Sequence, residues 1–305
     1  MSTIHPISTK REPRLEVLMS WWGMNGLGVQ NGAGEEWSME EKVRHIAEAG
    51  YDGINGMLPE GREAERLSQL LDRYNLSYSV NSYPKTSEEL EIFLSKAKSF
   101  GRVDFVNVQV IRPFLVGEEA VQLLSDIAEL SRTAGIPAYI ETHRGTITQD
   151  LLRTVEYAQA FPGLELTIDF SHYVVAGEMH TVSDEAEELL QTLLPLTKSI
   201  HARVSNGEQV QIDIPMIESM DEEGAANYEF EHTMLQHFQR WWLGGMRSWR
   251  QRAQENEVLP FVCELGPPPY AITVRGQDHV KSEVSDRWTQ ALLFARIARS
   301  LWEQV

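Results

Sequence analysis

The chain has 305 residues, 42% of them hydrophobic, which is enough for a large core and excludes wholesale disorder or a fibrous repeat. Its 45 acidic against 27 basic residues leave a formal charge of −18, a field that repels nucleic acid and anionic membranes. The lone cysteine, Cys263, excludes an internal disulfide framework and fits a reducing compartment. The N-terminal stretch carries no apolar h-region, and no run approaches the roughly eighteen apolar residues of a membrane span, so a cytoplasmic protein is expected.

Short β-rich runs alternate with amphipathic helical runs along nearly the whole chain, the sequence form of repeated βα units. Strands are expected at Leu15–Ser20, Asp52–Met57, Ser77–Ser82, Asp104–Val110, Pro137–Glu141, Leu164–Phe170, Ser199–Val204 and Pro260–Leu265. After the first of them, Trp21 and Trp22 either pack into the core or wall a pocket. Gly-Met-Asn-Gly-Leu-Gly at Gly23–Gly28 lacks the Lys-Ser/Thr of a P-loop and the spacing of a dinucleotide fingerprint, and reads as a flexible βα loop. Ser38 and Glu41 form a capping box before the stripe Val43, Ile46 and Ala47, with Gly50 at the stop. Thr86 and Glu89 give a second box, and Gly135 ends a helix striped by Val121, Leu124 and Ile127. Strand ends recur at the interval of one ordinary βα unit until His201, whereas Glu264 follows only after about twice that interval. The surplus holds a Gly-, Asp- and Glu-rich segment, 205–231, and then a long helix through Trp241, Trp242 and Trp249. A final helix repeats Trp288, Leu292, Ala295 and Trp302 on one face.

Eight such strands close a single α/β domain, a (β/α)8 TIM barrel over 1–305, with 1–14 as an N-terminal extension. The 205–231 insert then lies over the C-terminal mouth as a lid or a dimer contact.

Four strands end in residues that a core would not select. The fifth ends Glu141-Thr-His143-Arg144, the sixth Asp169-Phe-Ser-His172, the seventh His201-Ala-Arg203 and the eighth Glu264. Residues two apart on a strand share a face, so inward-facing ends bring Glu141, Asp169, His201 and Glu264 to one point. Three carboxylates so close repel unless a cation lies between them. Oxygen ligands with one imidazole suit Mn²⁺, Mg²⁺, Co²⁺ or Zn²⁺. His143 and Arg144 either hold a substrate carboxylate or phosphate or pair with loop acids. Asn81, Ser82, Asn107 and Gln109, at the ends of the third and fourth strands, are poor metal ligands and good partners for sugar hydroxyls. Cys263 precedes Glu264 and faces the other side of its strand.

At these residues the chain resembles the xylose isomerase-like TIM-barrel superfamily, which includes sugar isomerases, ketose 3-epimerases, inosose dehydratases and type-four apurinic endonucleases. The resemblance runs from Leu15 to the last helix. It is nearest to the sugar phosphate isomerase/epimerase branch, through His201–Val204, Gln209-Val210 and the Gly-Pro-Pro-Pro-Tyr segment Gly266–Tyr270. It implies metal ligation by Glu141, Asp169, His201 and Glu264. It also implies substrate binding by His172 and Arg203, and an acid and base role for the two glutamates across an enediolate intermediate.

The expected function is therefore a divalent-metal-dependent isomerase or epimerase of a small sugar or polyol. A dehydratase of the inosose dehydratase type and a non-catalytic sugar-binding barrel are the alternatives. The extra histidines of the endonucleases are missing, and nucleic acid is not an expected partner. A homodimer fits the long insert and the aromatic helices.

Overall fold

The computed structural model describes residues 11–29, 35–214, 222–275 and 281–305, without the side chains of residues 222–232 and 281. Eight parallel strands close in chain order into a barrel: β1 (Arg14–Ser20), β2 (Gly53–Gly56), β3 (Ser77–Ser82), β4 (Val106–Val108), β5 (Ala138–Glu141), β6 (Leu166–Ile168), β7 (Thr197–Ala202) and β8 (Val258–Cys263). Pairing of Arg14–Met19 with Val258–Cys263 shuts the ring. Around it run α1 (Met39–Glu48), α2 (Gly61–Tyr74), α3 (Ser87–Phe100), α4 (Gly117–Ala134), α5 (Leu151–Ala160), α6 (Ser171–Ala176), α7 (Asp184–Leu193), α8 (Glu222–Arg252) and α9 (Arg287–Trp302). An antiparallel pair, β9 (Thr273–Arg275) and β10 (Lys281–Glu283), lies between β8 and α9 and has no counterpart in the expected elements. No helix among the described residues is long and apolar enough to cross a membrane.

Strand alternation sorts the core into two clusters. Val17, Met19, Ile54, Val80, Val106, Val108, Ile140, Ile168, Ile200, Phe261 and Cys263 pack with the helices in the large cluster. Their neighbours point into the barrel, where Leu18, Phe105, Val262 and Tyr139 form a small apolar plug. Cys263 is thus on the helix side, and burial pushes its thiol up to about 12. The remaining inward positions are polar: Asn55, Ser79, Asn81, Asn107, Glu141, Thr167 and His201 are all buried. A barrel interior that spends so many positions on hydrogen-bonding groups is built for something other than packing.

β4 and β6 have three residues each, shorter than the runs expected there. Their ladders continue as isolated bonds, with Asp104 N donating to Tyr78 O and Gln109 N to Ser82 O. Asp169 sits one residue beyond β6 and Glu264 one residue beyond β8, while Glu141 ends β5 and His201 lies within β7.

The Ser38–Glu41 box is complete. The second box is only half formed: Thr86 Oγ1 accepts from Glu89 N, but the Glu89 carboxylate takes Lys85 N instead of Thr86 N. The buried face of α9 is shifted towards one side of the expected stripe: Ala295 is buried together with Ala291, Phe294, Ala298 and Leu301, while Trp288, Leu292 and Trp302 are partly buried and pack against the core. The described glycine loop after β1 is pinned rather than flexible. Arg287 donates to Gly23 O at 2.5 Å and Asn25 O at 2.7 Å, over a fully buried Met24.

The start of the 205–231 insert is part of the core. Gln211 closes a two-way amide bond with Gly266 at 3.1 and 2.7 Å, and Ile214 does the same with the Gln290 side chain at 2.9 and 3.0 Å. These bonds tie the post-β7 segment to the post-β8 loop and to α9. Residues 215–221 of the insert lie outside the described residues.

Candidate active site

Each strand end delivers one polar side chain for a local reason. At β5, Thr148 Oγ1 donates to Glu141 O at 2.5 Å and holds the turn that exposes His143 and Arg144. At β6, Thr142 Oγ1 accepts Asp169 N at 2.7 Å, and Asp169 Oδ1 accepts from Ser171 N and Oγ at 3.1 and 2.5 Å, an Asx turn that opens α6. His172 follows on the first turn of α6, fully buried.

His201 is the hub. Its Nδ1 lies 3.0 Å from Glu264 Oε2 and 3.5 Å from Glu141 Oε1. Arg203, 1% exposed, donates through Nη2 to Glu264 Oε2 at 2.5 Å and to Asp169 Oδ2 at 3.0 Å. The expected four-residue cluster is therefore gathered. Within it Glu141, His201 and Glu264 place candidate ligand atoms within 4.8 Å of one another, and Asp169 stands behind the Arg203 guanidinium. Glu141, His143 and His172 form a second such group.

Burial penalises every charge here, and the neighbours decide which survive. It works against the Glu141 anion, yet the His201 charge, with help from His143 and Asn107, holds that carboxyl down to about 2. It likewise opposes a charged His201, but Glu264 and Glu141 raise that imidazole to about 10. Glu264 is lowered against its burial by His201 and Arg203. Asp169 goes the other way, up to about 6, because burial together with Glu264 and Glu141 outweighs Arg203. Burial, with His143, Arg203 and Arg144 close by, keeps His172 neutral.

Glu141 is held by a chain of amides crossing three strands. Asn55 Nδ2 donates to Ser79 Oγ, Asn81 Nδ2 to Asn55 Oδ1 and Asn107 Nδ2 to Asn81 Oδ1, each at 3.0 Å. Asn107 and Gln109 then both donate to Glu141 Oε2, at 2.5 and 2.7 Å. Both residues, expected to meet substrate hydroxyls, are bonded to the glutamate, and Gln109 also lines the cavity above it. Asn55 was not singled out from the sequence. The signal was present in the 26-residue spacing that separates Asn55 from Asn81 and Asn81 from Asn107, the repeat of the βα unit. Asn107→Ala is expected to weaken divalent-metal retention about 10- to 100-fold, as loss of a bond that orients a ligand does. Competition with a chelator measures it, and an unchanged affinity would remove the ladder from the site.

Above these groups lies a cavity of about 300 Å³, lined by Trp21, Trp22, Asn25, Gly56, Met57, Asn81, Tyr83, Gln109, His143, Arg203, Glu264 and Tyr270. Trp21 and Trp22 are therefore pocket walls. Tyr270 meets Trp22 edge-on at 4.9 Å, and the Arg203 guanidinium lies 4.8 Å from the Tyr270 ring and 5.9 Å from that of Trp22. A Cβ on Gly266 would lie 1.9 Å from the Trp22 ring, so the glycine of Gly-Pro-Pro-Pro-Tyr is what lets this clamp close.

Several buried polar atoms here have no hydrogen-bond partner among the described residues: Glu141 Oε1, His201 Nε2, both nitrogens of His172, and Nε and Nη1 of Arg203, although Glu141 Oε1 lies 3.5 Å from His201 Nδ1 and His172 Nε2 lies 3.5 Å from Asp169 Oδ2. Each costs free energy unless a ligand satisfies it. The donor set of two carboxylates and one imidazole, with an unpartnered carboxylate oxygen, fits a divalent cation of the Mg, Mn, Co or Zn class.

No family model and no curated protein matches this chain. Solved structures do. A xylose isomerase-like TIM barrel protein from Mycobacterium smegmatis, in complex with magnesium, is 14% identical with a TM-score of 0.56, covering 95% of this chain and 97% of that one. The probable 3-DHS dehydratase AsbF involved in petrobactin synthesis from Bacillus anthracis is 15% identical over 85% of this chain and 94% of its own, with a TM-score of 0.48. An AP endonuclease of family 2 from Brucella melitensis is 14% identical over 83% and 94%, also at 0.48. The first of these supports the fold: this chain has the closed (β/α)8 barrel fold of that xylose isomerase-like protein.

Proposed function

We propose that this protein is a divalent-metal-dependent isomerase or epimerase of a sugar or polyol that works by proton abstraction next to a carbonyl. The observation that carries the reading is the pair of buried glutamates, Glu141 and Glu264, set against one imidazole nitrogen at 3.5 and 3.0 Å beneath a substrate-sized cavity.

Glu141, His201 and Glu264 would hold the ion, and Asp169, the fourth ligand the resemblance implies, is bonded to Arg203 and would join them only by exchanging that partner. When bound, the ion polarises a ketone and its neighbouring hydroxyl and lowers the cost of the enediolate. One glutamate removes the proton on carbon and the other returns one. The free Nε and Nη1 of Arg203, which lines the cavity, hold substrate oxygens, while Trp21, Trp22 and Tyr270 exclude water from the reacting centre. A small molecule rather than nucleic acid suits both the cavity and the net charge of −18.

The test is metal content by mass spectrometry after loading, with Mg²⁺ offered first because the Mycobacterium smegmatis barrel was solved with it. About one divalent ion per chain is expected in wild type, the occupancy of a single mononuclear site, with loss in Glu141→Gln/Glu264→Gln. A wild type that stays empty with Mg²⁺, Mn²⁺, Zn²⁺ and Co²⁺ sinks the proposal. Loaded protein that yields an ultraviolet-absorbing unsaturated carbonyl instead of an epimer makes it a dehydratase.

A further inference from the structure

Two imidazoles at the mouth have no part in the proposed centre. His143 lines the cavity, and His172, fully buried, rests against it in a tilted contact with 3.7 Å between ring centroids. Each ring has one nitrogen facing an acceptor and the other open. His143 Nδ1 lies 2.6 Å from Arg144 O, and a carbonyl only accepts, so in the neutral ring this nitrogen carries the proton and Nε2 keeps its lone pair. His172 Nε2 faces the Asp169 carboxylate at 3.5 Å, while Nδ1 is buried with no hydrogen-bond partner among the described residues. An imidazole with an acceptor at one nitrogen and the other left open is the form in which histidine binds a metal. Glu141 completes the group. Its Oε1 has no hydrogen-bond partner among the described residues, and one ligand atom from each of Glu141, His143 and His172 lies within 4.8 Å of the other two.

We infer that Glu141, His143 and His172 form a second metal site beside the Glu141, His201 and Glu264 centre, selective for Zn²⁺ and ions of its class over Mg²⁺. Two imidazoles and one carboxylate are a ligand set of zinc sites that use three protein ligands. Mg²⁺ prefers oxygen ligands and gives up its waters reluctantly, so this nitrogen-rich set does not hold it. A tetrahedral ion with bonds of about 2.1 Å keeps its ligand atoms roughly 3.4 Å apart, so uptake draws the three together by no more than roughly 1.5 Å. That adjustment falls to His143, which is only half-buried, on the turn after β5. Three protein ligands leave a coordination position for water or a substrate oxygen, and His143 lines the cavity from which either arrives. The site shares Glu141 with the proposed centre and needs neither His201 nor Glu264, so the two stand or fall separately.

The experiment is equilibrium dialysis of the chelator-stripped chain against excess Zn²⁺ or Mg²⁺, with bound metal counted by mass spectrometry. Wild type is expected to hold about two Zn²⁺ per chain but only about one Mg²⁺. His143→Ala and His172→Asn are each expected to drop to about one Zn²⁺ and still to hold about one Mg²⁺. Glu264→Gln is expected to keep about one Zn²⁺, which a further His143→Ala removes. If the buried His172→Asn fails to fold, the half-buried His143→Ala carries the comparison. Two Zn²⁺ retained in both histidine variants overturns the inference, because the second ion then sits elsewhere on the chain. Equal uptake of Zn²⁺ and Mg²⁺ by the second site overturns the selectivity. A single Zn²⁺ that survives both histidine variants and is lost in Glu264→Gln overturns the second site and leaves the proposed function standing. A single Zn²⁺ with the opposite pattern supports the second site and overturns the proposed function. A chain that takes up no metal refutes both.

Discussion

Arg203→Ala is expected to cost the metal-free protein about 3–5 kcal/mol of stability, the range found when one partner of a buried ion pair is removed. The guanidinium is 1% exposed and bonded to two buried carboxylates, Asp169 and Glu264. Without it they face each other across a dry gap. The same variant is expected to regain stability when a divalent cation is added, because the ion supplies the missing positive charge. Its deficit must also depend on pH, and the sign follows from Asp169. That carboxyl is already raised by burial to about 6 in the wild type, above its ordinary value of 3.8. A raised carboxyl contributes stability that is fully present below its unfolded value and is lost as pH rises through the folded one. Arg203 is the main influence lowering Asp169, so its removal pushes the folded value higher and deepens the loss at neutral pH. Urea unfolding in chelator at pH 5 and pH 8 should show the larger deficit at pH 8. A deficit below about 1 kcal/mol, the worth of an exposed pair, or one that is the same at both pH values, would mean that Arg203 does not neutralise this pair.

The single variants Glu141→Gln and Glu264→Gln are each expected to lower turnover by about 10²- to 10⁴-fold at saturating metal, the contribution of a positioned acid or base. Folding should survive in Glu141→Gln. The new amide oxygen can accept from Asn107 and Gln109 as Oε2 does now. If the two glutamates act on opposite faces of the substrate, each variant should still exchange the carbon-bound proton of one epimer with deuterium from solvent, without inverting it. The two variants should differ in which epimer exchanges. Nuclear magnetic resonance of substrate incubated in D2O distinguishes them. Loss of exchange from the same epimer in both would point to one base and no second acid, which ends the two-glutamate account.

Much of this was legible before any coordinates. The eight strands follow from hydrophobic runs separated by capped helices, and Glu141, Asp169, His201 and Glu264 stood out because carboxylates and an imidazole at strand ends are costly in a core. The side of each strand followed as well. The two-residue period that put Cys263 among the helices put Glu264 at the mouth. Caps such as Ser38 and Gly135 depend on residues three or four positions away, so local order was enough to find them.

Contacts across the barrel were a different matter. That Arg203 reaches both Asp169 and Glu264, that Asn107 and Gln109 serve Glu141, and that Tyr270 folds back over Arg203 depend on how strands from distant parts of the chain are staggered. The half-formed box at Thr86 and the shifted face of α9 belong here too, since the backbone ahead of one and the packing against the other decided them. The residue pattern by itself determined the barrel, its inward faces and the four acidic and imidazole strand ends, because those rest on periods of two and of about 3.6 residues. Only the closed tertiary structure decided which side chain each of them touches, because a hydrogen bond is set to within a few tenths of an ångström by register and tilt that no local period encodes.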